Sequence, residues 1–426
     1  MKDARLKDAR LKGDRSFAAL VGAQFFGAFN DNLFKQLILL LAAGTLFPGK
    51  DLQGIAFAVF SLPFVIFSGI AGDLSERYSK RRIIVLMKFA EIGITLGCIW
   101  SLAALNWTYM LIVLGVLGTQ AAFFGPSKYG VIPEIVPPDR LVPANGMITM
   151  TTFLAVLTGQ AVAGPLMDAF GPASATPRLW MPGVFCVGFA IIGTVLVAGM
   201  RPLRALKPEQ KIGWSPFGDL PKTIKRLRQD RGLFRVLVLN SFLWFDSAVL
   251  NQAVNGLGAR DYLDIPPGQQ TKLSYLLTTI SVGIIVGSLA APKLASRLGL
   301  GRVASLGVVG MLVGQIALLS IGTLFTVASG GFGVTMGLLF AIGFCGAAAI
   351  VSVQAWLQDA PPPGMRGQTF AVNNFLNFLF MFLAGGFYLL SNLIGPTLTQ
   401  AIAAVILVGW FLAIRKDVAS MAIETH

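Results

Sequence analysis

Long apolar runs alternate along this chain with short polar stretches. A helix needs about 20 apolar residues to cross the hydrocarbon core of a bilayer. Twelve segments meet that need: 16–44, 54–72, 83–103, 107–126, 143–170, 181–199, 233–255, 271–292, 303–325, 331–358, 368–393 and 396–414. Several exceed a minimal span, which tilt or extension past the bilayer accommodates. The pattern predicts an all-α membrane protein of twelve transmembrane helices.

Composition strengthens this reading. Of 426 residues, 55% are hydrophobic and only 13% are charged, with a mean hydropathy of +0.71. A soluble domain would need more polar surface than that. The 48 glycines fit helices that approach closely in lipid. Cys98, Cys186 and Cys345 are scattered, each inside an apolar span, which argues against a disulfide framework. The only histidine is His426, so a His-rich metal site, a histidine proton relay and catalysis by histidine are excluded. No G-x-x-x-x-G-K-[ST] phosphate cradle occurs, which argues against ATP-driven transport by this chain. Neither an enzyme nor a cofactor is expected.

The net charge of +14 would suit nucleic acid, but its distribution does not. Lys and Arg crowd into alternate loops, with six in 1–15, four in 77–82 and ten in 201–235, whereas the opposite loops hold only Lys50, Arg178, Arg260 and Lys272. This is the positive-inside pattern, and it predicts both termini in the cytoplasm. The first span is too long and too charged for a cleavable signal peptide. The tail 1–15 carries the direct repeat KDARLKDARLK, read either as a flexible charged tail or as a short helix on the anionic inner leaflet.

The polar, basic segment 200–232, with Pro202, Pro208, Pro216 and Pro221, divides the chain into halves at 16–199 and 233–414, followed by a tail 415–426. Residues 68–82 (SGIAGDLSERYSKRR) echo 288–302 (SLAAPKLASRLGLGR), and AFNDN around Asp31 echoes LWFDS around Asp246. Two parallel six-helix repeats follow.

This organisation resembles the major facilitator superfamily. Between spans two and three that superfamily carries a Gly, an Asp and then basic residues; here they are Gly69, Asp73, Arg77, Lys80, Arg81 and Arg82, with a stretched spacing and no internal Gly. The resemblance implies a conformational latch that steadies the outward-open state; the other reading is positive-inside charge plus a turn. Within the superfamily, AQFFGAFNDNLFKQ, FFGPSKYGVIPEIV, LVPANGMITMTTFLAVLTG and VQAWLQDAPPPGMRGQTFAVNN resemble the bacterial lysophospholipid transporters (LplT-type). That resemblance implies an inner-membrane, flippase-like transporter that moves lysophospholipids inward for re-acylation, by alternating access with lateral lipid entry. The expected partners are the lysophospholipid, membrane lipids and a separate acyltransferase, since no acyltransferase domain follows. A monomer is expected, and no nucleic acid.

The sharpest candidate residue is Asp31, about 22 Å of helix into the first span at 1.5 Å per residue. A charge at the bilayer centre costs on the order of 2.5 kcal/mol or more, so it marks a functional site by default. The fold that the resemblance implies lines a central cavity with spans 1, 4, 7 and 10, which places Asp31 and Lys128 on cavity helices. Lys128 would meet a headgroup phosphate; Asp31 would meet the ammonium, or pair with Lys128 when the site is empty. Asn30, Asn32, Lys35, Phe123, Phe124, Asp246, Asn373, Asn374 and Asn377 complete the substrate-binding candidates. Phe375, Phe378, Phe380 and Phe382 supply apolar material for an acyl chain beside a lateral gap. Plainer readings stand beside these: Asp31 and Lys35, at i and i+4, form a local ion pair; Lys128 snorkels to the interface. Glu91 and Lys88 read as a local pair or interfacial anchors on a peripheral span, and Glu134 and Arg140 as latch or packing residues in the loop after span four. Two rival functions remain: transport of another amphiphile, such as a drug or siderophore, and a membrane sensor or scaffold without transport.

Overall fold

The computed structural model describes residues 15–137, 140–205, 208–209, 220–258, 261–266, 268–321, 324, 330–361 and 365–421. The repeat-bearing tail 1–14, nearly all of 206–219 and the terminal 422–426 lie outside the described residues.

Among the described residues, twelve long helices form where the apolar runs predict them. They are α1 Ser16–Leu40, α2 Gln53–Arg77, α3 Lys80–Ala103, α4 Trp107–Ile135, α5 Leu141–Phe170, α6 Met181–Ala198, α7 Arg231–Gly256, α8 Thr271–Leu298, α9 Leu300–Ala317, α10 Gly331–Asp359, α11 Arg366–Tyr388 and α12 Pro396–Ala413. Eleven are long and apolar enough to cross a membrane by length and composition. The exception is α1, whose Gln24, Asn30, Asp31, Asn32, Lys35 and Gln36 lower its hydropathy.

Several helix ends differ from the expected spans. Helix α4 does not end near 126 but continues to Ile135, with Pro126 and Pro133 inside it. Intramembrane helices tolerate proline where neighbouring groups satisfy the freed carbonyls. The SKYG stretch and Glu134 therefore lie on α4 and not in the loop that follows. Helix α8 likewise carries Pro292 inside and runs to Leu298.

The chain forms two compact units, one of residues 1–37 and 62–218 and the other of 38–61 and 219–426. In the first, α3 packs against α4 and α6. Helix α1 seats closely on α5, where a Cβ at Gly159 would meet the Phe29 carbonyl at 2.7 Å. Leu20, Ile84, Val131, Ile132, Ile148 and Val197 form a core there.

In the second unit, α8 and α10 are in near-backbone contact. A Cβ at Gly283 or Gly287 would clash with the Phe340 or Phe344 carbonyl, and one at Gly343 with the Ile280 carbonyl. Lipid tails are as apolar as the helices, so such close dispersion packing replaces the hydrophobic drive of water-soluble cores.

The segment 38–61 is fastened within the second unit by a polar clasp. The Asp51 backbone N–H donates to Asn392 Oδ1 at 2.7 Å, and Asn392 Nδ2 donates back to the Asp51 carbonyl at 2.8 Å. Tyr388 Oη donates to Asp51 Oδ2 at 3.1 Å, and Asn255 Nδ2 donates to Gln53 Oε1 at 2.7 Å. Gly54 and Gly385 let the two backbones meet, since a Cβ on either would clash with the carbonyl of the other.

Gly287→Ala should destabilise the protein by about 1–3 kcal/mol through overpacking. It lowers the thermal midpoint in detergent, whereas Gly337→Ala, in open space, leaves it unchanged or raised. A second prediction concerns pH. Burial pushes the Asp51 carboxyl above its usual range, against hydrogen bonds from Gln53 and Tyr388 that lower it. A carboxyl raised in the folded state is held better neutral than charged, so this contribution to stability falls as pH rises through the window from its ordinary to its raised value. Asp51→Asn should flatten that part of the curve of thermal midpoint against pH.

Candidate functional site

In the first unit the polar residues of α1 donate hydrogen bonds to α3, α5 and α6, the α5 contact running from Gln24 Nε2 to Thr152 Oγ1 at 3.0 Å. Asn30, 1% exposed, donates through Nδ2 to Glu91 Oε1 on α3 at 3.2 Å and to the Cys186 carbonyl on α6 at 3.0 Å. Glu91 in turn pairs with Lys88 at 2.6 Å, and both side chains are only 1% exposed. Lys88 Nζ lies 5.3 Å from the centroid of the Phe124 ring on α4. Gly27 makes room for this ammonium, because a Cβ there would collide with Lys88 Nζ.

Asp31 occupies the centre of this region. It is within electrostatic reach of Lys35, Lys88, Lys128 and Glu91. Formally, two carboxylates then face three ammonium groups. Asp31 is half-buried, and its Oδ1 is shielded from solvent yet accepts no hydrogen bond. Such an atom is a buried acceptor without a donor. Lys35 donates to Asn32 Oδ1 at 2.9 Å, and Asn32 donates to the Ala28 carbonyl at 2.8 Å. Lys128 is 7% exposed, with Nζ 4.4 Å from the Tyr129 ring centroid. Among the described residues, ion pairs join Lys80 to Glu134, Lys88 to Glu91 and Arg235 to Asp417, and Asp31 takes part in none of them. Phe123 packs against Phe67 with centroids 5.5 Å apart.

The basic loop residues divide by role. Lys80 pairs with Glu134 at 2.9 Å. Arg81 donates to the carbonyls of Met200 at 2.7 Å and Ala198 at 2.8 Å. Arg201 donates to the Glu134 carbonyl. Gly69 and Asp73 lie on α2, Arg77 ends it, and Arg82 is exposed on α3.

The second unit holds its own buried polar groups. Asp246 is fully enclosed, and its two oxygens accept from Gln315 Nε2 at 2.6 Å and Gln400 Nε2 at 3.0 Å. Asn240 donates to Asn373 at 3.0 Å and Asn377 at 3.1 Å, while Asn374 is exposed on another face of α11. Phe380 packs edge-on against Phe242 at 4.9 Å.

Lys88 and Glu91 join the α1 cluster, a placement that their spacing alone does not reveal. Their pair forms as expected of residues three apart, but it is sunk in the protein and not at an interface. The signal was two charges in an apolar span with no loop near. Gln315 and Gln400 were also missed.

Removing one member of a buried ion pair strands the other charge, at about 3–5 kcal/mol, while replacing both by apolar groups is often neutral or stabilising. Lys88→Met and Glu91→Leu should therefore each lower the thermal midpoint steeply. The double variant should lie closer to wild type than either single one.

Comparison with known proteins agrees with this architecture. The sequence pattern of the Major Facilitator Superfamily matches residues 20–385. The chain is 27% identical over 379 residues to the lysophospholipid transporter LplT of Enterobacter sp. (strain 638), covering 88% of this chain and 89% of that protein. It is 26% identical over 397 residues to the protein of the same name from Photorhabdus laumondii, covering 91% and 92%. Among solved structures, a bacterial homologue of the iron transporter ferroportin in an inward-facing state aligns with a TM-score of 0.68 at 14% identity, covering 94% of this chain and 98% of that one. A POT family transporter in complex with 5-aminolevulinic acid aligns with a TM-score of 0.70 at 10% identity, covering 96% and 97%. With its twelve long helices and a family match across most of its length, the chain belongs to the major facilitator superfamily.

Proposed function

We propose that this protein carries lysophospholipids, such as lysophosphatidylethanolamine, inward across the bacterial inner membrane. The observation that carries the reading is Asp31, an intramembrane carboxylate with a shielded, unpartnered oxygen among ammonium groups that include Lys128. Likeness to LplT proteins along about nine-tenths of the chain supports the substrate class.

In this reading Asp31 receives the headgroup ammonium and Lys128 the phosphate as a point charge. Asn30, Asn32 and Lys35 shape the site. Phe123 and Phe124 border the acyl chain, and Asn373, Asn374 and Asn377 lie on the helix beside which the lipid enters laterally. Asp246 is the weaker member, since both its oxygens already accept amide hydrogens. The two halves, 16–199 and 233–414, alternate access about this site, and the residues from Gly69 through Arg82 act as the latch. The protein works as a monomer with both termini in the cytoplasm, and hands its cargo to a separate acyltransferase.

The test is uptake of labelled lysophosphatidylethanolamine into proteoliposomes. Wild type should accumulate it, and Asp31→Asn and Lys128→Gln should each lose at least about tenfold while folding normally; one lost charge-assisted contact of about 1.5–3 kcal/mol gives that range. Absence of wild-type uptake, in an assay that an established lysophospholipid transporter passes, would overturn the substrate. Full uptake by both variants would overturn the site.

A further inference from the structure

The first unit contains a second polar feature, away from the α1 cluster. Where α2 gives way to α3 lies a cavity of about 440 Å³, lined by Arg77, Tyr78, Ser79, Arg82, Arg204 and Pro208 among others. No carboxylate occurs among its described lining residues. The neighbouring cations are committed elsewhere, Lys80 to Glu134 and Arg81 to two carbonyls. The three arginines are not. Arg82 and Arg204 are exposed, and the guanidinium of Arg77 rests 5.8 Å from the Tyr78 ring centroid. None of the three joins the ion pairs seen among the described residues.

Ser79 gives a second, independent sign. It occupies the cap position of α3, and its carbonyl accepts the Ile83 N–H at 3.2 Å. Its side chain, however, caps nothing. The residue is 6% exposed, and its Oγ is shielded from solvent with no hydrogen-bond partner. A buried hydroxyl without a partner on the wall of a cavity is a donor without its acceptor. The first turn of α3 adds backbone N–H groups that lack intrahelical acceptors, at the positive end of the helix dipole.

We propose that this cavity binds a phosphate-bearing anion on the face that the charge bias assigns to the cytoplasm. Arg77, Arg82 and Arg204 line one hollow, and an anion held there would offset their like charges. Their planar forks match phosphate oxygens in pairs. The volume suits a small headgroup, and the half-exposed ring of Tyr78 offers an amphipathic edge such as a lipid glycerol would meet. The same chemistry describes the phosphodiester of an inner-leaflet lipid and free phosphate. This site is separate from the one at Asp31 and stands whether or not the cargo is a lysophospholipid.

The experiment uses the purified full chain in dodecyl maltoside. Three probes are titrated: inorganic phosphate, dioctanoyl phosphatidylglycerol and, as the zwitterionic control, dioctanoyl phosphatidylcholine. The readout is the thermal midpoint. A saturable rise with phosphatidylglycerol alone identifies a lipid-headgroup site, and a saturable rise with phosphate as well identifies a free-anion site. In either case Arg204→Gln and Arg82→Gln should each raise the half-saturating concentration about tenfold or more. Two results would overturn the proposal: no saturable rise with either anion, or half-saturation unchanged in both variants.

Discussion

The structure depends on one constraint: charged and amide side chains placed at membrane depth must find partners inside the protein. Helix α1 carries six such side chains in 25 residues, and its neighbours are arranged around them. Asn30 ties α1 to α3 through Glu91 and to α6 through the Cys186 carbonyl. Glu91 is neutralised by Lys88, and Gly27 has no side chain so that Lys88 can fit. Asp31 Oδ1, like Asn30 Oδ1, is a buried acceptor without a hydrogen-bond partner.

Comparison of the two aspartates sharpens the point. Asp31 and Asp246 are both carboxyls within long apolar helices, yet their surroundings differ. Asp246 is fully buried and receives a hydrogen from an amide on each oxygen, whereas Asp31 is half-buried with one oxygen unused. In the second unit the buried carboxylate knits α7 to α9 and α12, and close glycine contacts do the rest between α8 and α10.

The spans were legible because hydropathy and helix length are local properties. The continuation of α4 was not, since Pro126 and Pro133 read as helix breakers until neighbouring groups can satisfy the freed backbone. Asp31 announced itself by sitting in an apolar run. Its network did not, because the partners of such groups are distant in sequence: Gln315 and Gln400 lie 69 and 154 residues from Asp246, and Tyr388 lies 337 residues from Asp51. The clasp at Asp51 and the arginine-lined cavity likewise depend on tertiary contacts that periodicity does not encode. The packing of 38–61 within the second unit is another such tertiary feature, because Gly54 and Asp51 fit against Gly385, Tyr388 and Asn392.

The claim at the centre of this account is that Asp31 reads the ammonium and Lys128 the phosphate. Equilibrium binding of lysophosphatidylethanolamine and lysophosphatidic acid to the purified protein separates the two contacts, since the second lipid lacks the ammonium. Asp31→Asn should abolish the preference for the ethanolamine lipid, while Lys128→Gln should weaken both lipids alike. Unchanged discrimination in the Asp31→Asn variant would contradict it.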